Sequence, residues 1–326
     1  MTKYLLPHPA PLKNPHSPFR NFNYIRPIHI KGSTEDLRDY QVRIVLNKNN
    51  FPLEKCKSDG SDIRFRDETG KALSYWIESW ASNEAVVWCK IPYIPASRTK
   101  DIWIVFGNPN AKSASNGKAT FDFFNDFEEL NFDNEAEGAF KIVDGTYLDS
   151  DGIGSGDEWH GPRGSSDLPT PLSNFEMKAK IKQTVSSSGE ERHAIYLCDT
   201  SGNIVYFFYL GDNWSAASYS TTKLFEGGGT NYEEHVPTGS TLLYNSGYTT
   251  TWNDGEWVFK LIRSGSNLDL SYDGITLWLG TTGLSTAIGI IKWSIMGWGT
   301  LPETTTHMYD YIIVRKYASP EPFVLV

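Results

Sequence analysis

The chain is written in short runs that are apolar on every second residue and broken by Gly, Asp and Pro at intervals of roughly ten residues. The first runs are YIRPIHI (24–30), YQVRIVL (40–46), IRFRD, ALSYWIESW, AVVWCKIPYI and DIWIVFG. Period two sends alternate side chains to opposite faces, so in YQVRIVL the side chains of Val42, Ile44 and Leu46 share one face. None of these segments holds a helical period. The pattern therefore predicts an all-β chain of antiparallel sandwich or barrel type rather than βαβ units. Pro27, which has no N–H to give to a ladder, marks 24–30 as an edge strand.

The stretch FDFFNDFEE (121–129) stands where one such pattern stops and another begins. Its aromatics alternate with acids, as in a strand bordering two cores, and it reads as a hinge strand. The last strand, 308–317 (MYDYIIVRKY), is expected to return beside it. Behind the hinge lies the turn-rich run NPNAKSASNG. Ahead lies a longer β-rich half with strands at 139–147, 175–183, 193–198, 204–210, 257–263, 268–272, 289–298 and 308–317. The segment WVFKLIRSGSNLDLSYDGITLW reads as three strands joined by two turns, with Asp273-Gly274 as a hairpin signal.

A length of 326 residues exceeds what one hydrophobic core usually serves, so two domains are expected: 21–117 and 118–326, preceded by an extended arm at 1–20. The net charge of −9 and the absence of a Lys/Arg cluster argue against a nucleic-acid partner. No apolar run approaches the roughly 20 residues that span a bilayer, so no membrane insertion is expected. The N-terminal stretch has no apolar core or small-residue cleavage site of a secretory signal. Its five prolines keep it extended, either disordered or laid along a partner subunit. Cys56 and Cys89 fall in the same proposed domain and could pair, which would leave Cys198 over; with no disulfide framework and no metal-ligand spacing, all three are expected as buried free thiols.

The series YIRPIHI, DYQVRIVL, DGSDIRFRD, LSYWIESW, VVWCKIPYIP and DIWIVFGN resembles the domain-of-unknown-function family 2341 over most of 22–117. That resemblance implies a module of surface proteins of archaea, bacteria and their viruses, often followed by a concanavalin A-like sandwich. The order FNDFEE, FEMKAKIK, WVFKLIRSGSNLDLSYDG, IKWSIMGWG and MYDYIIVRKY resembles the concanavalin A-like lectin/glucanase superfamily, laminin-G-like, over about 121–326. Together they imply two tandem antiparallel β-sandwiches, the second a concanavalin A-like jelly roll.

In the glucanases of that superfamily a Glu-x-Asp-x-Glu strand carries catalysis, because period two aims nucleophile and acid at one face, about 5 Å apart for a retaining mechanism. Aligning Leu210-Gly211 with the end of that motif puts the acid positions on Ile204, Tyr206 and Phe208, none of which has a carboxyl. Relocated acids would have to come from Asp157-Glu158, Glu190-Glu191, Glu233-Glu234 or Asp254 and Glu256, each of which also reads as a solvated loop or strand end. No catalytic residue is therefore expected. Sugar rings pack an apolar face on Trp or Tyr while their hydroxyls pair with planar polar groups. The candidate ligand residues are Trp159, His160, Arg163, Tyr206, Asn213, Trp214, Tyr219 and Trp298, with core or loop-anchoring roles as the plain alternative.

The superfamily resemblance also implies a structural Ca²⁺ tying the first strand to the last, through Asp310 with Asp126 and Gly145 as carbonyl donors. Alternatively, Asp310 caps a turn or pairs with Arg315 or Lys316. The expected protein is a non-catalytic adhesion or structural component of a virion or cell surface that binds a glycan or cell-surface polysaccharide on the concave face of its second sandwich. Its arm would meet a capsid, tail or surface-layer subunit. A glycoside hydrolase with displaced acids and a homo-oligomeric spacer are the alternatives.

Overall fold

The computed structural model describes residues 19–127, 140–143, 146–149, 163–184, 190–212, 220–230, 236–247, 249, 251, 254–298 and 306–326. Among the described residues nearly all regular structure is β-strand, as expected. In chain order the strands are β1 (Tyr24–Lys31), β2 (Leu37–Asn47), β3 (Arg64–Arg66), β4 (Ala72–Leu73), β5 (Tyr75–Trp80), β6 (Glu84–Ile94), β7 (Thr99–Phe106), β8 (Phe123–Asn125), β9 (Phe140–Val143), β10 (Thr146–Asp149) and β11 (Arg163–Leu172). They continue with β12 (Phe175–Thr184), β13 (Glu190–Cys198), β14 (Ile204–Asp212), β15 (Ser220–Glu226), β16 (Thr241–Asn245), β17 (Asp254–Ser264), β18 (Asn267–Tyr272), β19 (Ile275–Thr281), β20 (Ile288–Trp298), β21 (Thr306–Lys316) and β22 (Phe323–Leu325). A short α-helix, α1 (Gly117–Thr120), is capped by the Asn116 side chain, which accepts from the Ala119 N–H.

The chain forms two units, Met1–Phe121 with Ala318–Val326, and Asp122–Tyr317. The closing residues 318–326 thus belong to the first unit, where the sequence reading had kept them in the second. Ala318 is buried in the first core, and β22 pairs antiparallel with β1 through His29–Leu325 to Lys31–Phe323. Tyr40 fastens this return: its hydroxyl accepts from the Ala318 N–H at 3.0 Å and donates to the Glu321 carboxylate.

The first unit contains a five-stranded sheet in the order β22-β1-β7-β3-β4 and a three-stranded sheet in the order β2-β6-β5. Val42, Ile44 and Leu46 do share the buried face, meeting Cys89, Val87 and Ala85 across the β2–β6 ladder. β1 has neighbours on both sides, contrary to the edge reading, but β22 pairs only with residues 29–31 and stops short of Pro27. The run ALSYWIESW breaks at Ser74, so that β4 and β5 lie in different sheets.

The second unit contains an eight-stranded sheet in the order β19-β18-β17-β12-β21-β10-β9, with β8 also on β21, and a six-stranded sheet in the order β11-β20-β13-β14-β15-β16. One face of each sheet is buried in a common core that includes Met177, Ile181, Ile195, Phe208, Phe259 and Ile312. The hinge is shorter than FDFFNDFEE: β8 covers only 123–125, and Val314, Ile313 and Ile312 of the last long strand do pair beside it. Its aromatics serve two cores as expected. Phe121 stands edge-on to Trp76 and Trp88 in the first unit, while Phe123 and Phe127 pack on Trp293 in the second. Asp273 and Gly274 have φ of 46° and 81°, the left-handed pair that a two-residue hairpin between β18 and β19 requires.

Candidate functional site

Strand register brings the ends of several strands of the six-stranded sheet together. β20 runs alongside β13 from Cys198–Ile290 to Glu190–Trp298, and β11 begins at Arg163 opposite Ser294 of β20. On the other side of β13, Arg192 stands opposite Gly211 of β14, and Asp212 opposite Ser220 of β15. Arg163, Trp298, Glu190, Asp212 and Ser220 therefore lie at the same end of one sheet. Residues 213–219, which join β14 to β15 at this end, contain the predicted Asn213, Trp214 and Tyr219 and lie outside the described residues. Trp159 and His160, just before β11, lie outside them too.

The layers are clasped close to this end. The Tyr309 hydroxyl, on β21 of the facing sheet, is shared between the carbonyl oxygens of Ala194 at 3.2 Å and Ser294 at 3.1 Å. The His193 ring stands edge-on to Tyr309 with centroids 4.9 Å apart. Gly164, opposite Trp293, carries no Cβ because one would fall 2.1 Å from the indole ring. The strand ends are thus set on a packed base.

Tyr206 is a correction to the expected ligand set. It is fully buried between the sheets, near Phe175 at 5.9 Å between ring centroids, with the Arg263 guanidinium 5.8 Å from its own centroid. Burial pushes its phenol pKa up. Arg263 in turn donates to the carbonyls of Gly265, Leu284 and Thr286, so this group pins the chain over the core.

The alternation of 204–210 also differs from the simple reading. Leu197 pairs with Tyr206 but Cys198 pairs with Ile204, a bulge that takes in Val205 and shifts the phase. Tyr206 and Phe208 face the interlayer core, whereas Ile204, Phe207 and Tyr209 join Tyr196 and Phe225 in a separate buried cluster. In that cluster Tyr196 stacks on Phe207 at 4.6 Å and the Lys223 ammonium stands 5.3 Å from the Tyr209 centroid. Sequence reasoning put Ile204 on the face of Tyr206 and Phe208, because a bulge leaves no mark in an apolar run, and it passed over Phe207 and Tyr209 on the other face. Either phase gives the same chemical result: from 204 to 211 this strand has no carboxyl.

Asp310 is the extra residue of a bulge in β21, between Lys180–Tyr311 and Ile181–Tyr309. Its carboxylate lies 2.5 Å from Lys180 Nζ, which also meets Glu256 at 2.9 Å. Burial works against the lysine charge, but Asp310 and Glu256 outweigh it and hold its pKa above the ordinary value. The partner is therefore Lys180 rather than Arg315 or Lys316. Asp126 is half-buried, Gly145 lies outside the described residues, and among the described residues no three His, Cys, Asp or Glu side chains cluster as a metal site.

The first unit has a cavity of about 530 Å³ walled by Phe19, Phe22, Phe65, Tyr75 and Arg64. Arg64 Nη1 donates to Ser61 O, Ile63 O and the Tyr75 hydroxyl, and Nη2 to Lys112 O at 2.5 Å. The guanidinium is thereby committed to holding the wall. The three cysteines form no disulfide, Cys89 and Cys198 being buried as expected and Cys56 half-buried. Among the described residues no helix is long and apolar enough to cross a membrane.

Residues 59–139 match a family described as Domain of unknown function (DUF2341), a stretch that begins later and ends later than the 22–117 run of motifs. No curated protein matches the chain. Solved structures similar to it include the CBM2 module of the evolved Dit of Lactobacillus casei BL23 phage J-1, at 15% identity and TM-score 0.48 over 63% of this chain and 96% of that one. Another is a glycoside hydrolase family 16 endo-glucanase from Bacteroides ovatus, at 10% identity and TM-score 0.43, covering 59% and 99% of the two chains. A third is the laminarinase from Rhodothermus marinus, at 9% identity and TM-score 0.42, covering 61% and 98%.

Proposed function

We propose that this chain is a non-catalytic surface protein whose second unit, a concanavalin A-like and laminin-G-like sandwich, binds a glycan at one end of its six-stranded sheet. The observation that carries this reading is the convergence, through strand register, of Arg163, Trp298 and the ends of β14 and β15 at that end. Trp214, Tyr219 and Asn213 belong to the connection between those two strands, and Trp159 and His160 to the approach to β11. Indole and phenol rings offer platforms for sugar C–H faces, while guanidinium, imidazole and amide groups take the hydroxyls. The absence of a carboxyl from residues 204 to 211 of β14, where the glucanase acids would fall, supports binding without hydrolysis.

A virion or cell-surface location, with the arm at 1–20 docked on a capsid, tail or surface-layer subunit, completes the reading. It rests on the proline-rich arm and on the resemblance of the first unit. A structural Ca²⁺ at Asp310, with Asp126 and Gly145, belongs to the same reading and requires Lys180 to give up its place at Asp310.

One observation favours hydrolysis instead: Glu190, Glu191 and Asp212 gather at the same sheet end, on adjacent strands. Incubation with a polysaccharide panel separates the two readings. Retention of a polysaccharide on immobilised protein, with no new reducing ends, is the expected result. Reducing ends that are lost in Glu191→Gln or Asp212→Asn would establish the hydrolase.

A further inference from the structure

We propose that the cavity of the first unit, with Arg66 at its rim, is a binding site for an acidic sugar: a hydroxylated ring that bears a carboxylate. The site lies wholly in the first unit, so it is separate from the glycan reading of the second.

The sign of the ligand follows from charge. Met1–Phe121 with Ala318–Val326 hold 18 Lys and Arg against 12 Asp and Glu, while Asp122–Tyr317 hold 12 against 27. The net charge of −9 is thus the second unit's, and the first unit is net positive.

That positive charge is unanswered beside the cavity. Alternation puts Arg64 and Arg66 on one face of β3, and the β3–β4 ladder sets Ala72, a wall of the cavity, opposite Arg66. Arg66 therefore stands next to two walls, Arg64 and Ala72. Arg64 gives its N–H groups to carbonyls and to the Tyr75 hydroxyl, none of which cancels its charge. The Arg66 guanidinium stands 5.7 Å from the Trp103 ring centroid, its Nε is buried, and among the described residues it has no hydrogen-bond or ion-pair partner.

The carboxylates nearby are taken. Asp67 accepts from the Thr69 and Lys71 N–H groups, Glu68 pairs with Lys100, and Asp101 meets His29. Asp62 accepts from the Lys57 and Gly107 N–H groups. A buried donor without an acceptor is costly, and the planar guanidinium fork matches a carboxylate.

The rest of the ligand follows from the walls. About 530 Å³ lies within the range of small-molecule sites, and the exposed Ala72, Ala114 and Ala119 open it to solvent. Phe19, Phe22 and Tyr75 give aromatic surface, which suits the C–H face of a sugar ring. Asn108 and Asn116, also in the lining, spend Oδ1 on the N–H groups of Asn110 and Ala119. Among the described residues neither Nδ2 has a partner. Two amide donors serve hydroxyl oxygens, which a sugar acid has and a plain aromatic acid lacks.

Saturation-transfer NMR titrations of the full chain test this. The probes are glucuronate, galacturonate and N-acetylneuraminate, with glucose and galactose as neutral controls and inorganic phosphate as a competing anion. Arg66→Gln removes the free charge, Ala119→Trp fills the mouth, and Trp298→Ala alters the second unit alone; circular dichroism verifies folding. The wild type and Trp298→Ala are expected to bind at least one sugar acid at least tenfold more tightly than the neutral sugars. Arg66→Gln is expected to bind it at least tenfold more weakly, and Ala119→Trp not at all. Folded wild type that binds none of the acids, or binds the neutral sugars equally well, would overturn the proposal. So would displacement of the sugar acid by an equal concentration of phosphate, Arg66→Gln or Ala119→Trp binding as the wild type does, or a loss confined to Trp298→Ala.

Discussion

Glu176 and Arg315 face each other across the β12–β21 ladder as a buried, bidentate ion pair, with Arg315 Nε and Nη2 donating to the two carboxylate oxygens at 3.1 Å each. Their side chains are 9% and 3% exposed, so each charge depends on the other. Glu176→Gln leaves a buried guanidinium without its counter-charge and is expected to lower stability by about 3–5 kcal/mol in urea unfolding. Replacing both partners, as Glu176→Gln with Arg315→Met, is expected to cost less than the sum of the single changes.

The same pair sets an acid limit. Burial raises the Glu176 pKa, but the Arg315 charge and hydrogen bonds outweigh it and hold it below the ordinary value. A depressed folded-state pKa gives stability that is fully present above the unfolded glutamate value, about 4.3, and is lost as pH falls through the lower folded one. Urea midpoints measured downward from pH 5 are expected to fall for the wild type. In Glu176→Gln that part of the fall is absent.

Lys180 holds Asp310 and Glu256 with one ammonium, at 2.5 and 2.9 Å. Lys180→Met leaves two carboxylates around an empty position, an oxygen-rich setting for a hard cation. The variant is expected to melt lower than the wild type and to regain part of the loss in millimolar Ca²⁺. Differential scanning fluorimetry with Ca²⁺ and with EDTA measures both. A wild-type melting temperature raised by Ca²⁺ would support the structural calcium proposed at Asp310, and one indifferent to it would leave Lys180 as the resident cation.

How much was legible beforehand depended on whether neighbouring residues alone decide the outcome. Val42, Ile44 and Leu46 announced their face because alternation there is unbroken, and Asp273-Gly274 announced its turn because the left-handed backbone selects such residues. The phase of β14 was hidden because the bulge at Val205 lies in a run apolar on both faces. The return of 318–326 was hidden because β22 has three residues and its anchor, Tyr40, is distant in sequence. Of the candidate ligand residues, Trp298 was legible as the end of a strand, Arg163 was read as a loop residue and instead begins β11, and Tyr206 was misplaced because a core tyrosine and a platform tyrosine look alike in sequence.

Gly274 meets no atom within 4 Å at a built Cβ, so Gly274→Ala tests backbone strain alone at φ +81°. The expected loss is about 1 kcal/mol, read from denaturant midpoints. A stabilised variant would contradict the turn conformation.

Cys89 and Cys198 are buried, and burial, followed by the nearby Asp62 and Glu54 charges, pushes the Cys56 thiol pKa well up. The thiolate is the reactive form, so iodoacetamide at pH 8 is expected to leave all three essentially unmodified in the folded chain and to label all three in denaturant. Mass spectrometry counts the adducts. Fast labelling of Cys56 under native conditions would contradict its setting.

The most direct test of the glycan reading is an array screen of the purified full chain, with and without Ca²⁺, repeated with Trp214→Ala and Trp298→Ala. The account predicts binding to at least one glycan class by the wild type, reduced at least tenfold in each variant while circular dichroism stays unchanged. Folded wild-type protein that binds no glycan, or variants that bind as the wild type does, would contradict it.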